Sequence, residues 1–236
     1  MPFNAKSGKF SANINTVTMG TGDKAVKIGG ENVLPFFTFD APVENAPKVG
    51  IEITDFGLEN EPDCVKKYYE GCETVVDMAK KAASMEGVDF LCFRMEGGDP
   101  NGANKSTEEL ISTLKEVAAA VDIPLVVAGC KHVEKDAELL SKAAEAVDGK
   151  NAVILAAKEE NYKTIGAAAG LAYKQIVGGE SAVDINLAKQ LNVLMTQLGV
   201  DPKSIVMNVG SAAAGYGFEY VVSTMQRVKA AALGQN

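Results

Sequence analysis

Acids, amides and glycines gather just after the apolar runs of this sequence. Asp55 closes KVGIEITD; Glu96, Asp99 and Asn101 lie in EGGDPNGAN, behind VDFLCFRM. Asn161 follows AVILAA, Asp184 closes SAVD with Asn186 just behind it, and Asn208 sits inside SIVMNVG. Carboxylates and carboxamides of this kind hydrogen-bond a polar heterocycle well, because together they offer both donors and acceptors. They do not form a nucleophile–base pair, which needs a hydroxyl, thiol or amine beside a base. The single histidine, His132, stands between Lys131 and the acids Glu134 and Asp136 with no evident orienting partner. It reads as a helix-start residue rather than a general base. Lys158, at the end of an apolar run, is a candidate Schiff-base lysine. The glycine-rich GGDPNGAN is not G-x-G-x-x-G and does not end in Lys-Ser/Thr. It reads as a tight polar loop leading into a helix, not a phosphate cradle. Cys64, Cys72, Cys92 and Cys130 are scattered, with no C-x-x-C pair to nucleate a zinc or iron–sulfur site. They read as reduced thiols acting as small hydrophobes.

These residues need a scaffold that brings the ends of the runs together. From residue 48 onward the sequence alternates apolar runs with helical stretches. The runs are 48–55, 88–95, 123–130, 152–157, a weak fifth at IVGG and SAVD, and 204–210. Continuous apolar runs are expected of parallel strands buried on both faces. Between them lie stretches with helical periodicity: 62–86, 106–121, 134–147, YKTIGAAAGLAYKQ, INLAKQLNVLMTQLG and GYGFEYVVSTMQRVKAAAL. Ser106 and Glu109 are spaced as a capping box, and Leu110, Leu114, Val117 and Val121 recur on one helical face. The pattern predicts an α/β fold of six β/α units. It leaves open a doubly wound sheet or a (β/α)₈ barrel short of its last two units, since a full barrel has eight units and typically ~250 residues. In both architectures ligands meet the C-terminal ends of the strands, where the acids and amides fall.

Residues 1–47 differ from the rest. INTVTMG and KAVKIGG are short β-branched runs around Thr21-Gly22-Asp23, the pattern of a hairpin, and VLPFFTFDAPVENAP is too broken by proline for a regular element. The expected division is an N-terminal hairpin and cap, 1–47, packing its aromatics against a barrel domain, 48–236. Across the 236 residues, 23 Lys+Arg against 31 Asp+Glu give a net charge of −8, which disfavours nucleic acid and anionic membrane surfaces. No apolar run reaches the ~18 residues of a spanning helix, and MPFNAKSGKF lacks a signal peptide's apolar core, so a cytoplasmic location is expected.

Seven segments occur in order: IGGENVLPFFTFD, PKVGIEITD, GGDPNGANKS, PLVVAGCKHVEKDAELL, EENYKTIGAAA, DINLAKQLNVLM and GYGFEYVVSTMQRV. Together they resemble the small (delta) subunit family of the corrinoid iron–sulfur proteins. These belong to the carbon monoxide dehydrogenase/acetyl-CoA synthase system, the acetyl-CoA decarbonylase/synthase complex of archaea. The resemblance runs from about Val26 to the C-terminus.

It implies a (β/α)₈ barrel with an N-terminal hairpin cap, similar to pterin-dependent methyltransferase barrels and non-catalytic alone. The implied partner is a larger subunit that carries the Fe4S4 cluster and most of the corrinoid (cobalamin) site. The small subunit's rim covers the corrinoid, which it shares with that subunit. A methyltransferase loads methyl from a methyl-tetrahydropterin or folate, and acetyl-CoA synthase receives it, in the reductive acetyl-CoA (Wood–Ljungdahl) pathway or its reverse. By the same resemblance Asp55, Glu96, Asp99, Asn101, Asn161, Asp184 and Asn208 are the candidate corrinoid-facing positions, with no catalytic or metal-ligating residue. The family's chains continue beyond the last helix here, so two β/α units are expected to be missing, and an unclosed barrel is expected to aggregate or oligomerise. Two other readings stay open: a barrel that itself binds methyl-tetrahydrofolate through Asp55, Asp184 and Asn208, and an aldolase-type barrel using Lys158.

Overall fold

The computed structural model describes residues 8–34, 37 and 39–235. Strands β1 (Val17–Met19) and β2 (Val26–Ile28) pair antiparallel, with Met19 opposite Val26. A single parallel sheet follows, of β3 (Gly50–Thr54), β4 (Phe90–Arg94), β5 (Leu125–Ala128), β6 (Val153–Ala157), β7 (Ile176–Glu180) and β8 (Ile205–Asn208). Its strand order is β3-β4-β5-β6-β7-β8, each strand paired with the next in sequence. The helices are α1 (Asp63–Tyr68), α2 (Val75–Ala83), α3 (Thr107–Ala120), α4 (Val133–Ala146), α5 (Tyr162–Ile165), α6 (Ile185–Leu198) and α7 (Phe218–Leu233).

The alternative left open by the sequence is decided by this order and by the two faces of the sheet. A doubly wound sheet reverses its strand order at a switch point and carries helices on both faces. Here the order never reverses. Ile53, Leu91, Phe93, Leu125, Val127, Ile154, Val177 and Ile205 point to one face, in one core with residues of α2, α3, α4, α5 and α6. The other face holds Cys92, Val126, Ala128, Val153 and Ile176, packed on Val17 and Met19 of β1. Helices outside and a strand-lined interior make this the arc of a (β/α) barrel. The arc is not closed: among the described residues β3 pairs only with β4, and β8 only with β7. The hairpin plugs the interior from the N-terminal ends of the strands. There the Gly20 amide donates to the Asn151 carbonyl at 2.9 Å, and the Asn151 side-chain amide donates to the Thr18 carbonyl at 2.7 Å.

Several elements depart from the sequence pattern. The stretch 62–86 is two helices, because Gly71 takes φ 86° between them and Thr74 then starts α2 with a reciprocal cap to Asp77. The fourth helical stretch is α-helical only over Tyr162–Ile165 and winds on as a π-helix over Gly166–Ala172, with the Tyr173 amide reaching back to the Ala168 carbonyl. The weak fifth strand is a full one, β7, of five residues, and SAVD is the turn behind it. The last helix begins at Phe218, not at Gly215, since Gly217 lies at φ 102°. Phe37 and Phe39 pack tilted on each other, their ring centroids 5.6 Å apart, and both are exposed; Phe36 lies outside the described residues.

Candidate functional site

Side chains alternate along a strand, so every second residue of this sheet faces the interior. Three interior positions carry charge inside otherwise apolar strands: Glu52, Arg94 and Glu180. Asn208, opposite Glu180 in the β7–β8 register, completes the ring. Arg94 donates to both oxygens of Glu52, from Nε at 2.9 Å and from a terminal nitrogen at 2.7 Å, a bidentate pair. Those bonds hold the Glu52 carboxyl below its ordinary range, against the opposing effect of burial. Below the pair sits Cys92, whose thiol burial pushes up to about 12.

Above this ring the C-terminal rim opens a cavity of about 400 Å³. Arg94, Lys131, Asp136, Lys158, Glu180, Asn208 and Ser211 are its polar lining, and Leu155, Ala156, Ala182 and Val183 supply its apolar wall. Lys158 Nζ lies 3.6 Å from Glu180 Oε1, and Asn208 Nδ2 donates to Glu180 Oε2 at 3.1 Å. The sheet register shifts between Leu155 and Ala157, which places Ala156 as an extra residue on the wall. A second cavity, of about 410 Å³, lies at the opposite rim beside Gly20, Asp122 and Lys150, away from the strand C-termini.

The turn that carries Lys131 is fixed from α4. Asp136 is 4% exposed and accepts from the amides of Cys130 at 2.8 Å and Lys131 at 3.0 Å. Burial raises the Asp136 pKa, although these bonds pull the other way. Gly129 is required where it stands, because a Cβ there would collide with the Asp136 carboxylate. His132 is the N-cap of α4, its Nδ1 accepting from the Lys135 amide at 3.3 Å.

The seven sequence candidates separate in space. Asn208 alone of them lines the cavity. Asp55 is buried and internally satisfied: it accepts from the Gly97 amide at 2.8 Å and pairs with Lys105 at 2.9 Å. Asn161 is buried too, accepting from the Lys158 amide at 2.8 Å and donating to the Val133 carbonyl at 3.1 Å. Both brace rim loops instead of facing the mouth. Asp184 caps α6, accepting from the Asn186 and Leu187 amides at 2.8 and 3.0 Å. Asp99 turns its loop by accepting from the Asn101 amide at 2.9 Å. Glu96 and Asn101 are exposed on the same rim. Missed in the sequence were Glu52, Arg94, Asp136 and Glu180. The signal for Glu52 and Arg94 was there, as a charge inside a run read as wholly buried, whereas Glu180 falls between IVGG and SAVD.

A family model described as CO dehydrogenase/acetyl-CoA synthase delta subunit matches residues 16–236 of this chain. The chain belongs to that family. Its similar relatives include acetyl-CoA decarbonylase/synthase complex subunit delta 1 of Methanosarcina thermophila, 34% identical over 91% of this chain and 49% of the relative. Subunit delta of the same-named complex from Methanothermobacter thermautotrophicus is 30% identical over 98% of this chain and 59% of the relative. That of Methanocaldococcus jannaschii is 32% identical over 87% and 51%. The chain therefore spans about half the length of the curated delta subunits it matches. Among the described residues no group of three or more His, Cys, Asp or Glu is placed to hold a metal ion, and no helix is long and apolar enough to cross a membrane.

Proposed function

We propose that this chain is the barrel part of a delta subunit in an acetyl-CoA decarbonylase/synthase complex, working in the cytoplasm and non-catalytic alone. Its partner is a larger subunit that carries the Fe4S4 cluster and holds most of the corrinoid. The pair accepts a methyl group from a methyl-tetrahydropterin or folate through a methyltransferase and delivers it to acetyl-CoA synthase. The family match across residues 16–236 carries the proposal. The mouth is consistent with it, since its charged lining is carboxylates, ammonium groups and one paired guanidinium. The thiols that meet carboxylates beside it, Cys92 on Glu52 and Cys130 on Asp136, are held protonated by burial.

The rim fits a corrinoid as a cover, not as a container. A corrin macrocycle with its carboxamide arms is far larger than a cavity of about 400 Å³, so it stays outside the interior. The exposed Glu96, Asn101 and Asp184 present acceptors and a donor to such carboxamides. Asn208 sits deeper, its amide and carbonyl engaged by Glu180 and the Gly210 amide. When bound, the corrinoid supplies the cobalt centre that carries the methyl group. What the chain itself does is shield that face from water and leave room for a donor to approach.

Co-expression with the large subunit of such a complex tests the reading. A one-to-one complex containing cobalt and iron is the expected product. If the chain stays apart from that subunit and by itself gives saturable heat with methyl-tetrahydrofolate, it is a pterin-binding methyltransferase barrel instead.

A further inference from the structure

Among the described residues the arc is open between β3 and β8, and the N-terminal segment is bonded to both sides of that opening. On one side α7 packs on α6, beyond β8. Lys229, one turn from the end of α7, lies 3.3 Å from Glu31 Oε1. The Asn15 side-chain amide donates to the Pro202 carbonyl, just ahead of β8, at 3.4 Å. On the other side, at the start of β3, the Val49 amide donates to Asp89 Oδ2 at 2.9 Å, and Lys48 lies 3.3 Å from Asp89 Oδ1. The two sides meet in one hydrogen bond, from Asn45 Nδ2 to the Gly29 carbonyl at 2.8 Å. Residues 29–31 and 45–49 thus connect α7 to β3 without the loop between them.

The connection is closely fitted. Gly29 and Gly30 take φ of 77° and 88°, and a Cβ on Gly29 would collide with the Asn15 carbonyl. The Gly30 amide donates to the Ile14 carbonyl at 3.1 Å and the Ile14 amide to the Glu31 carbonyl at 2.9 Å, which ties this turn to the chain entering β1. The Glu31 side chain is 13% exposed, and an ion pair withdrawn from water to that degree is screened less than one on the surface. Little else holds this bank. Among the described residues β8 pairs with β7 alone, and an outermost strand and helix are where local opening starts.

We propose that residues 29–31 and 45–49 form a strap across the open side of the arc, holding β8 and α7 at a fixed distance from β3. When the strap is released, that bank opens outward and carries with it the rim residues Asn208 and Ser211. The strap belongs to this chain alone and does not depend on the corrinoid proposal.

Hydrogen exchange of the whole chain, read by peptide mass at low protein concentration, is the test. Lys229→Met keeps the apolar stem and removes the ammonium, and Asn45→Ala removes the amide on the β3 side. Each speeds exchange in β8 and the second half of α7 by about fivefold, the scale of one hydrogen bond or partly exposed ion pair. Exchange in β5, in the middle of the sheet, stays unchanged. Lys229→Arg keeps the cation and the slow exchange. The Asn45 result decides, because that side chain bonds to Gly29 and not to β8 or α7. A merely local role would speed exchange around residues 29 and 45 only. Unchanged exchange of β8 and α7 in Asn45→Ala, equal acceleration in β5, or Lys229→Arg behaving as Lys229→Met overturns the proposal.

Discussion

Asp55 and Lys105 meet beneath the loops that follow β3 and β4, where the Asp55 side chain is 1% exposed and that of Lys105 25%. Removing the carboxylate leaves the Gly97 amide without its acceptor and the Lys105 ammonium with only the residue-55 carbonyl, at 3.3 Å. Asp55→Ala is expected to cost about 3 kcal/mol, at the low end for a broken buried pair because Lys105 still reaches water. Urea unfolding with an unchanged slope measures it, and a loss under about 1 kcal/mol would contradict the buried pairing. The thiols divide by burial. Cys92 and Cys130 are buried, with pKa values pushed to about 12 and about 11, whereas Cys64 is exposed. The thiolate is the reactive form, so native protein at about pH 8 is alkylated at Cys64 first, and Cys92 and Cys130 react only after unfolding. Peptide mass mapping over time reads this order directly.

At the scale of elements, polar residues at the rim act mainly on helix starts and turns. Asp184 closes the first turn of α6 through two amides, and Asp184→Ala is expected to lower stability by about 1 kcal/mol. Asp184→Asn, which keeps a cap oxygen, recovers most of that in thermal or urea unfolding. Equal losses in both variants would argue that the charge, and not the cap, is what matters there. The element pattern itself was legible: apolar runs fell on β3 to β8, and Leu110, Leu114 and Val117 of α3 are buried as their spacing required. The break before α2 and the π-helix behind α5 were not. Helical periodicity carries across the six residues between α1 and α2, and a shift from i+4 to i+5 bonding leaves no compositional mark.

For the molecule as a whole, the open arc matters most. Among the described residues the outer edges of β3 and β8 pair with no further strand, and such edges are the usual template for association of chains. Tyr216, Phe218 and Tyr220 are exposed near the β8 side, 87%, 48% and 66% respectively. By itself this stretch of chain is expected to self-associate as concentration rises, with sedimentation velocity as the measurement. A monodisperse monomer into the hundred-micromolar range would show that the edges are protected in some other way.

The sequence by itself determined the six β/α units, the rim on which the polar loops fall, and the family, because each depends on local periodicity or on the order of short segments. Only the tertiary structure decided that the sheet curls in sequence order with its helices on one face. It also decided that Glu52 pairs with Arg94 and that Arg94 and Glu180 line one cavity. It turned Asp55 and Asn161 from candidate ligand contacts into internal braces. The physical reason is common to these cases. An acid or amide at a strand end has the same spacing whether its hydrogen-bond partner is a ligand or a neighbouring backbone amide. Which partner it finds depends on contacts between segments tens of residues apart.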